Sequence, residues 1–167
     1  NGRGRNFSID TGKGYKNLGF NVGLSHIKIG DRHAPSYSLT NSGKEEKGFN
    51  IGLHYHLSNF DIKFYYSYVD VNLALLRSSV FHSGNAISRA ISSEEPLFIR
   101  PFSFDINEPN QLVDHHLAKV NINWWYNEND KLSFVFGRQL NKRKEFDVRR
   151  NAEKPIIDLD LITTDLM

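Results

Sequence analysis

His54 and His56 are the residues of this sequence whose type and spacing are best suited to chemistry. Residues two apart on a β-strand point to the same face, so both imidazoles would lie side by side. Imidazole nitrogens are common ligands of zinc and of haem iron. No third ligand is evident from the sequence, and histidine also fits the polar face of a sheet without a metal. We therefore expect neither a metal nor a cofactor, and keep these two histidines as candidate ligands only.

Alternating charges near the end of the chain form a second pattern of interest. If the strand register set by Phe134 continues, four charged side chains share one face. They are Arg143, Glu145, Asp147 and Arg149. Their opposite charges favour pairing across strands, and the alternative is a polar wall that contacts a substrate. A bulge near Asn141 would turn them to the opposite face.

Motifs for catalysis are missing from the sequence. It contains no Cys, which excludes disulfides and thiolate chemistry. Gly12, Lys13 and Gly14 indicate a turn, without the strand-to-helix context of a phosphate-binding loop. Asp105 and Glu108 could pair in a long loop, but acids in such loops are usually just solvated, and no nucleophile elbow is present. We expect that the chain is not an enzyme.

The elements that must position these residues are β-strands. Segment 48–57 alternates apolar and polar residues, which predicts a strand with one face of each kind. Its apolar face carries Phe49, Ile51, Leu53, Tyr55 and Leu57, and its polar face carries Asn50, Gly52, His54 and His56. A turn at Ser58 and Asn59 leads into a second alternating strand, so the pair is predicted to form a hairpin. The apolar residues of that second strand are Phe60, Ile62, Phe64, Tyr66 and Tyr68.

The same alternation divides the whole chain into strands and connections. A first strand ends over 7–10 and turns over 11–14, a second strand covers 16–29, and residues 31–47 form a loop. The fourth strand runs from Phe60 toward Arg77, and a long connection over 78–109 contains a short helix at 85–91 capped near Ser83. The fifth strand covers 111–126, 127–130 form a turn, the sixth strand begins at Lys131, and a break over 151–155 precedes a seventh strand at 157–161.

Composition limits the class of protein. The chain has 167 residues, a net charge of +2 and a mean hydropathy of −0.49. Its longest apolar run, residues 73–76, is far shorter than the roughly 20 residues of a membrane-spanning helix. The interspersed charges offer no electrostatic footprint for nucleic acid. The chain shows no N-terminal signal peptide and ends within an apparent strand, so we expect it to be a piece of a longer protein.

The order of turns and loops indicates a membrane protein. Alternating strands joined by short turns at one end and long loops at the other are typical of an outer-membrane β-barrel, in which every second residue meets lipid. Phe60 follows one short turn, and Trp124, Trp125 and Tyr126 precede another, at the headgroup level that such rings prefer. A soluble sandwich core would also alternate large aromatics, but soluble sheets rarely combine strands this long with such unequal connections.

Segments 83–96, 107–119, 138–150 and 155–161 resemble the barrel of TonB-dependent outer-membrane receptors. The resemblance runs from about Gly48 onward and is one of strands and loops, not of a catalytic signature. It implies an all-β, antiparallel, up-and-down transmembrane β-barrel segment: about seven strands of a 22-stranded barrel, without the plug domain and the C-terminal strands. It also implies TonB-energised uptake of a siderophore, cobalamin, haem or glycan, with outer-membrane lipid, the substrate and the TonB complex as partners, the last through the missing N-terminal part.

The barrel interpretation assigns positions to the candidate residues. Those expected to face the lumen are Asn50, His54, His56, Lys119, Asn121, Asn123, Arg143, Glu145, Asp147 and Arg149. Those of the long loop expected to pack on the rim or contact a ligand are Leu97, Phe98, Phe102 and Phe104. Loops 31–47, 78–109 and 151–155 would lie outside the cell, and the turns at Gly12, 58–59 and 127–130 would be periplasmic. The alternatives are a passive porin-like channel and a soluble all-β ligand-binding module, such as a lipocalin-like barrel or a sandwich.

Overall fold

The computed structural model describes residues 3–79, 83–146 and 154–166, and in these ranges the chain is mostly antiparallel β-sheet. The strands are β1 Gly4–Tyr15, β2 Leu18–Ile29, β3 Arg32–His33, β4 Ser38–Leu39, β5 Lys44–His56, β6 Phe60–Ala74, β7 Asn110–Trp125, β8 Lys131–Phe146 and β9 Lys154–Leu166. A 3₁₀ turn, Arg77–Ser79, and one helix, α1 Gly84–Ile91, lie between β6 and β7. The expectation of an all-β chain is confirmed.

The seven long strands form one antiparallel sheet in the order β1-β2-β5-β6-β7-β8-β9. Each long strand pairs with the next long strand along the chain, so the sheet runs up and down. The short strands β3 and β4 pair only with each other, within the loop between β2 and β5. The sheet is not closed, since β1 and β9 each have one neighbour in the described part of the chain.

Two of the predicted short turns lie where the sequence placed them. Between β5 and β6, Leu57 N donates to Phe60 O at 2.7 Å, which closes the hairpin around Ser58 and Asn59. Between β7 and β8, Asn127 Oδ1 accepts hydrogen bonds from the backbone N–H groups of Asn129 (2.9 Å) and Asp130 (2.7 Å). An Asn side chain that bonds the backbone two residues on is a common way to stabilise a turn.

The first turn is not where the sequence placed it. Strand β1 continues through 11–14 to Tyr15, and the chain reverses at Lys16, which adopts a left-handed φ of 50°. Gly12 and Gly14 pair across the ladder with Asn21 and Gly19. A Cβ built on Gly12 would lie 2.9 Å from the carbonyl oxygen of Phe20, so the residue is needed for close strand approach. Glycines that signal a turn in the sequence therefore serve as strand residues here.

The boundaries of the other elements differ by a few residues from the predicted ones. Residues 44–47, predicted to be loop, belong to β5, and β6 ends at Ala74, before Arg77. The helix predicted over 85–91 is confirmed, and Ser83 Oγ accepts from Ala86 N at 3.3 Å as its N-cap. Strand β9 begins at Lys154, so Pro155 lies in a strand; the rest of the predicted break lies outside the described residues. Within the described ranges no helix is both long and apolar enough to cross a membrane.

The strand register gives the sheet one apolar face and one polar face, because residues paired across antiparallel strands point to the same side. Phe49 pairs with Tyr68, Leu53 with Phe64, and Ile62 with Ile122. The apolar face comprises Phe20, Val22, Leu24, Phe49, Ile51, Leu53, Tyr55, Phe60, Ile62, Phe64, Tyr66, Tyr68, Ala118, Val120, Ile122, Trp124, Leu132, Phe134 and Phe136. The polar face comprises the alternate residues of the same strands. The predicted alternation is confirmed.

No segment that the structure describes covers the apolar face. Among the described side chains, Ala74 and Pro109 are the only apolar ones that are buried, glycine aside. Leu24 is 50% exposed and Leu53 is 40% exposed, although both lie on the apolar face of strands that have a neighbour on each side. A soluble sheet normally packs one face on a second layer, which the described part of this chain does not supply.

Candidate functional site

His54, His56 and Asp61 form a cluster on the polar face, next to the turn between β5 and β6. His56 and Asp61 are directly paired in the hairpin, and His54 lies diagonally across from Asp61. His54 Nε2 hydrogen-bonds Asp61 Oδ1, and His56 Nδ1 lies 3.5 Å from the same oxygen. The Asp61 side chain is only 10% exposed, whereas those of His54 and His56 are 48% and 59% exposed. The buried carboxylate is thus the centre of the cluster.

Strands β6 and β7 supply the surroundings of Asp61. Lys63 Nζ lies 3.4 Å from Asp61 Oδ2, so the carboxylate also faces a cation. Asn123 is the partner of Asp61 in β7, and its Oδ1 accepts a hydrogen bond of 2.7 Å from Ser133 Oγ. Asn121 is the partner of Lys63, and its Oδ1 is buried without a hydrogen-bond partner. A buried acceptor without a hydrogen bond destabilises the fold, so the Asn121 oxygen can still accept a hydrogen bond.

The sequence predicted the two histidines on one face but missed Asp61 as the residue that joins them. The signal was present: a two-residue turn at 58–59 sets Asp61 opposite His56. Each of the three residues offers one ligand atom, and these atoms lie within 4.8 Å of one another. The arrangement can act as a hydrogen-bonded ion-pair cluster or as a set of metal ligands. His115 and His116 point to opposite faces, as adjacent strand residues must.

The remaining polar-face candidates are spread along the sheet. Asn50, Lys119, Asn121 and Asn123 occupy the same face as the cluster. Arg143 and Glu145 also lie on this face, because the pairing of β7 with β8 is continuous through both. Glu145 Oε1 accepts a hydrogen bond of 2.7 Å from Gln111 Nε2, and Arg143 Nε is buried without a partner. Asp147 and Arg149 lie outside the described residues.

The pairing of β7 with β8 is continuous at Asn141, so a bulge that would turn these charged residues to the opposite face does not occur there. An irregularity occurs instead between Arg143 and Lys144, in the pairing of β8 with β9. It therefore leaves the face of Arg143 and Glu145 relative to β7 unchanged.

The long-loop end of the sheet is organised around two buried polar residues. Asn41 Nδ2 donates to the carbonyl oxygens of Leu75 and Pro109, both at 2.8 Å, and Asn41 Oδ1 accepts from Asn107 N at 2.9 Å. Asp31 accepts from the backbone N–H groups of Ser42 (3.0 Å) and Ser103 (3.3 Å). The two loops are thus joined. Between them lies a cavity of about 420 Å³ lined by Asp31, Thr40, Asn41, Arg77, Arg100, Pro101, Ser103, Asp105, Asn107 and Glu108.

The four predicted loop residues do not behave alike. Phe102 and Phe104 pack edge to face at 5.0 Å between ring centroids, and Arg3 and Arg5 of the first strand region cover them at 4.9 and 5.5 Å. The Phe102 ring also packs against Gly30, and a Cβ at Gly30 would collide with this ring. These two rings therefore pack on the rim of the sheet.

Leu97 and Phe98 are more accessible. Leu97 is 37% exposed and Phe98 is 38% exposed. Phe98 lies 4.6 Å from the Arg77 guanidinium, whose NH1 atom is buried without a partner in the cavity region. Both side chains can contact a ligand or a partner, in contrast to Phe102 and Phe104.

The apolar face is bounded by aromatic rings at both ends. Near the short turns, Phe60 stacks on Trp124 at 5.8 Å between centroids, with only 4° between the ring planes. Toward the long loops, Tyr66 Oη hydrogen-bonds His116 Nδ1 at 2.9 Å and Tyr68 Oη donates to Asp114 Oδ1 at 3.1 Å. The two tyrosines therefore combine an apolar ring with a hydrogen-bonded hydroxyl group.

Two cations interrupt the apolar face. Lys13 pairs with Phe20 in the edge strand, and Arg138 pairs with Ala118. Both have long side chains whose stems can remain on an apolar surface while the charged head reaches a polar region.

Comparisons of the chain with protein-family models, with curated proteins and with solved structures gave no match.

Proposed function

We infer that this chain is part of the wall of an outer-membrane β-barrel, and specifically of a TonB-dependent receptor. The observation that carries the inference is the apolar face: it covers neighbouring strands of an antiparallel sheet and no part of the described chain packs on it. In a membrane, lipid would cover this face. Strand pairing is continuous from β1 to β8, so backbone groups between these strands are bonded in the ladders, as a membrane interior requires.

The dimensions of the apolar face support membrane insertion. Phe60 and Tyr68 mark its two ends on β6, eight residues apart, which is about 26 Å along a strand at roughly 3.3 Å per residue. The apolar band of transmembrane barrels is about 25 Å tall, and strand tilt shortens the projected height somewhat. Beyond Tyr68 the same side of the sheet becomes charged, with Asp70 paired to both Lys47 and Asp114. The band therefore ends in water-compatible residues.

The two ends of the sheet differ in the way that barrel topology requires. The turns at Lys16, 57–59 and 126–130 are short, and they would face the periplasm. The connections over 30–43 and 75–109 are long and internally hydrogen-bonded, and they would lie outside the cell. The polar face, with His54, Lys119 and Glu145, would then line the lumen. Seven strands are too few to close a wide barrel, so further strands would have to pair with β1 and β9.

The proposed role of the whole receptor is import. The loops, including the cavity near Asn41, would capture a siderophore, cobalamin, haem or glycan, and TonB would supply the energy that displaces a plug. The polar lumen wall and the absence of any catalytic arrangement in the sequence favour passage over chemistry. The resemblance of segments 83–96 and 107–119 to receptor barrels favours this family over a simple porin.

Energy dependence separates the receptor from a passive channel. The whole protein that contains this chain should be produced in a Gram-negative host and recovered from the outer membrane as a heat-modifiable barrel. Growth on a panel of iron sources and glycans should then require both this protein and TonB. Uptake that persists without TonB would identify a passive channel, and recovery from a soluble fraction would contradict the membrane assignment.

A further inference from the structure

The cluster at the turn between β5 and β6 has the atoms and spacing that a transition metal uses. Zinc binds histidine nitrogen and carboxylate oxygen at about 2.0–2.2 Å in tetrahedral geometry, which separates two ligand atoms of one ion by about 3.4 Å. His56 Nδ1 and Asp61 Oδ1 lie 3.5 Å apart. All three ligand atoms, with that of His54, fall within 4.8 Å of one another. One ion could therefore contact all three with only small side-chain movements.

We propose that His54, His56 and Asp61 bind a divalent transition metal of the zinc class. Two imidazole nitrogens and one carboxylate suit zinc, copper or nickel, whereas magnesium and calcium prefer oxygen ligands throughout. Three protein ligands leave one tetrahedral position for water or an external ligand. The proposal does not depend on membrane insertion, because a single hairpin supplies all three residues.

The cluster is accessible and its centre is held in place. Asp61 is fixed by strand pairing with His56 and Asn123 and is only 10% exposed. The two histidines are about half exposed, so an ion can reach them from water. Binding would replace the hydrogen bond between His54 Nε2 and Asp61 Oδ1 with two metal–ligand bonds.

Lys63 is the group that competes with a metal in this arrangement. Its ammonium lies 3.4 Å from Asp61 Oδ2 and would be repelled by a divalent ion at the carboxylate. Its cross-strand partner, Asn121, carries the buried Oδ1 atom that lacks a hydrogen-bond partner. The Lys63 side chain is 55% exposed, so its ammonium can move into water when a metal binds the carboxylate.

The test is a zinc titration of the full-length protein, purified in detergent, by calorimetry. Co²⁺ titration followed by visible absorption reports whether the ligand geometry is tetrahedral. His54→Ala, His56→Ala and Asp61→Asn should each weaken zinc binding about 100-fold or more, because even outer-shell changes cost roughly 10–100-fold. His26→Ala is the matched control, since His26 pairs with Glu45 at 3.0 Å on the other side of the sheet and should leave zinc binding unchanged.

Lys63→Met separates a metal site from a purely structural cluster. Loss of the competing ammonium should tighten zinc binding several-fold, whereas an ion-pair network with no metal role would show no gain. His56 and Lys63 are largely exposed, so their variants remain informative even if Asp61→Asn fails to fold. The proposal is overturned if the unaltered protein shows no saturable zinc binding, or if His54→Ala and His56→Ala bind zinc as the unaltered protein does.

Discussion

At the scale of single residues, the cluster next to the turn between β5 and β6 depends on the side-chain directions of His54 and His56 and on their cross-strand neighbour Asp61. Alternation alone places His54 and His56 on one face, because the period of a strand is two. To predict that Asp61 lies beside them, one must also know the register of the hairpin, which depends on the length of the turn. The face on which Arg143 lies could be predicted only on the condition that strand pairing continues without a bulge over the ten residues from Phe134. The direction of a side chain can thus be predicted from the periodicity of its own strand, whereas contacts between strands can be predicted only when the lengths of the turns are known.

The apolar face can be tested with one charge on each side of β5. Leu53→Arg should destabilise the membrane-inserted protein by about 2–4 kcal/mol, because a buried guanidinium near the bilayer centre is poorly solvated. Asn50→Arg is the control on the opposite face and should be tolerated. The measurement is reversible unfolding of the intact protein in lipid vesicles. Leu53 is 40% exposed in the chain alone, so a soluble protein would tolerate both changes, and equal sensitivity would contradict the lipid-facing assignment.

At the scale of elements, the sequence predicted strands and hairpins better than the loops and glycines. The turn expected at Gly12 and Gly14 is part of strand β1, and Gly12 lies so close to the Phe20 carbonyl of β2 that a Cβ would not fit without a shift. The hydrogen bonds that join the loops at the long-loop end were not predicted. They depend on Asn41, which has a left-handed φ of 60° and whose side chain donates to a carbonyl group far away in the sequence. Helix α1 was predictable because its cap, Ser83, is local. Features set by neighbouring residues could therefore be predicted from the sequence, whereas polar contacts between distant segments could not.

The long connection has one part that is hydrogen-bonded to the neighbouring loop and one part, helix α1, that is exposed. The exposed part can therefore be deleted without removing those hydrogen bonds. Helix α1 has no buried residues, whereas the following segment is tied to Asp31 and Asn41. Deletion of residues 83–95 should therefore leave barrel assembly intact, as judged by heat-modifiable migration. If this segment captures substrate, the deletion should weaken ligand binding and uptake. Unchanged affinity and uptake would leave the segment with a structural role only.

At the scale of the whole molecule, the sheet has two unlike ends and two unlike faces. Faces are set by strand periodicity, and ends are set by the lengths of connections, so both could be predicted from the sequence. Closure could not be predicted in this way, because β1 and β9 each have only one neighbour in the described part of the chain. If the sheet crosses a membrane as proposed, its two unlike ends make its orientation directly measurable.

Orientation can be measured with single cysteines, because the chain has no native Cys. Ser92→Cys lies at the exposed end of helix α1 and should react with an impermeant maleimide on intact cells. Asn59→Cys and Asn129→Cys lie in exposed short turns and should react only after the outer membrane is permeabilised. Any further Cys of the full-length protein should first be replaced by Ser, so that each label reports one position. Labelling of Asn59→Cys on intact cells, with Ser92→Cys protected, would show the opposite orientation, and equal labelling of all three would contradict insertion of the sheet across the membrane.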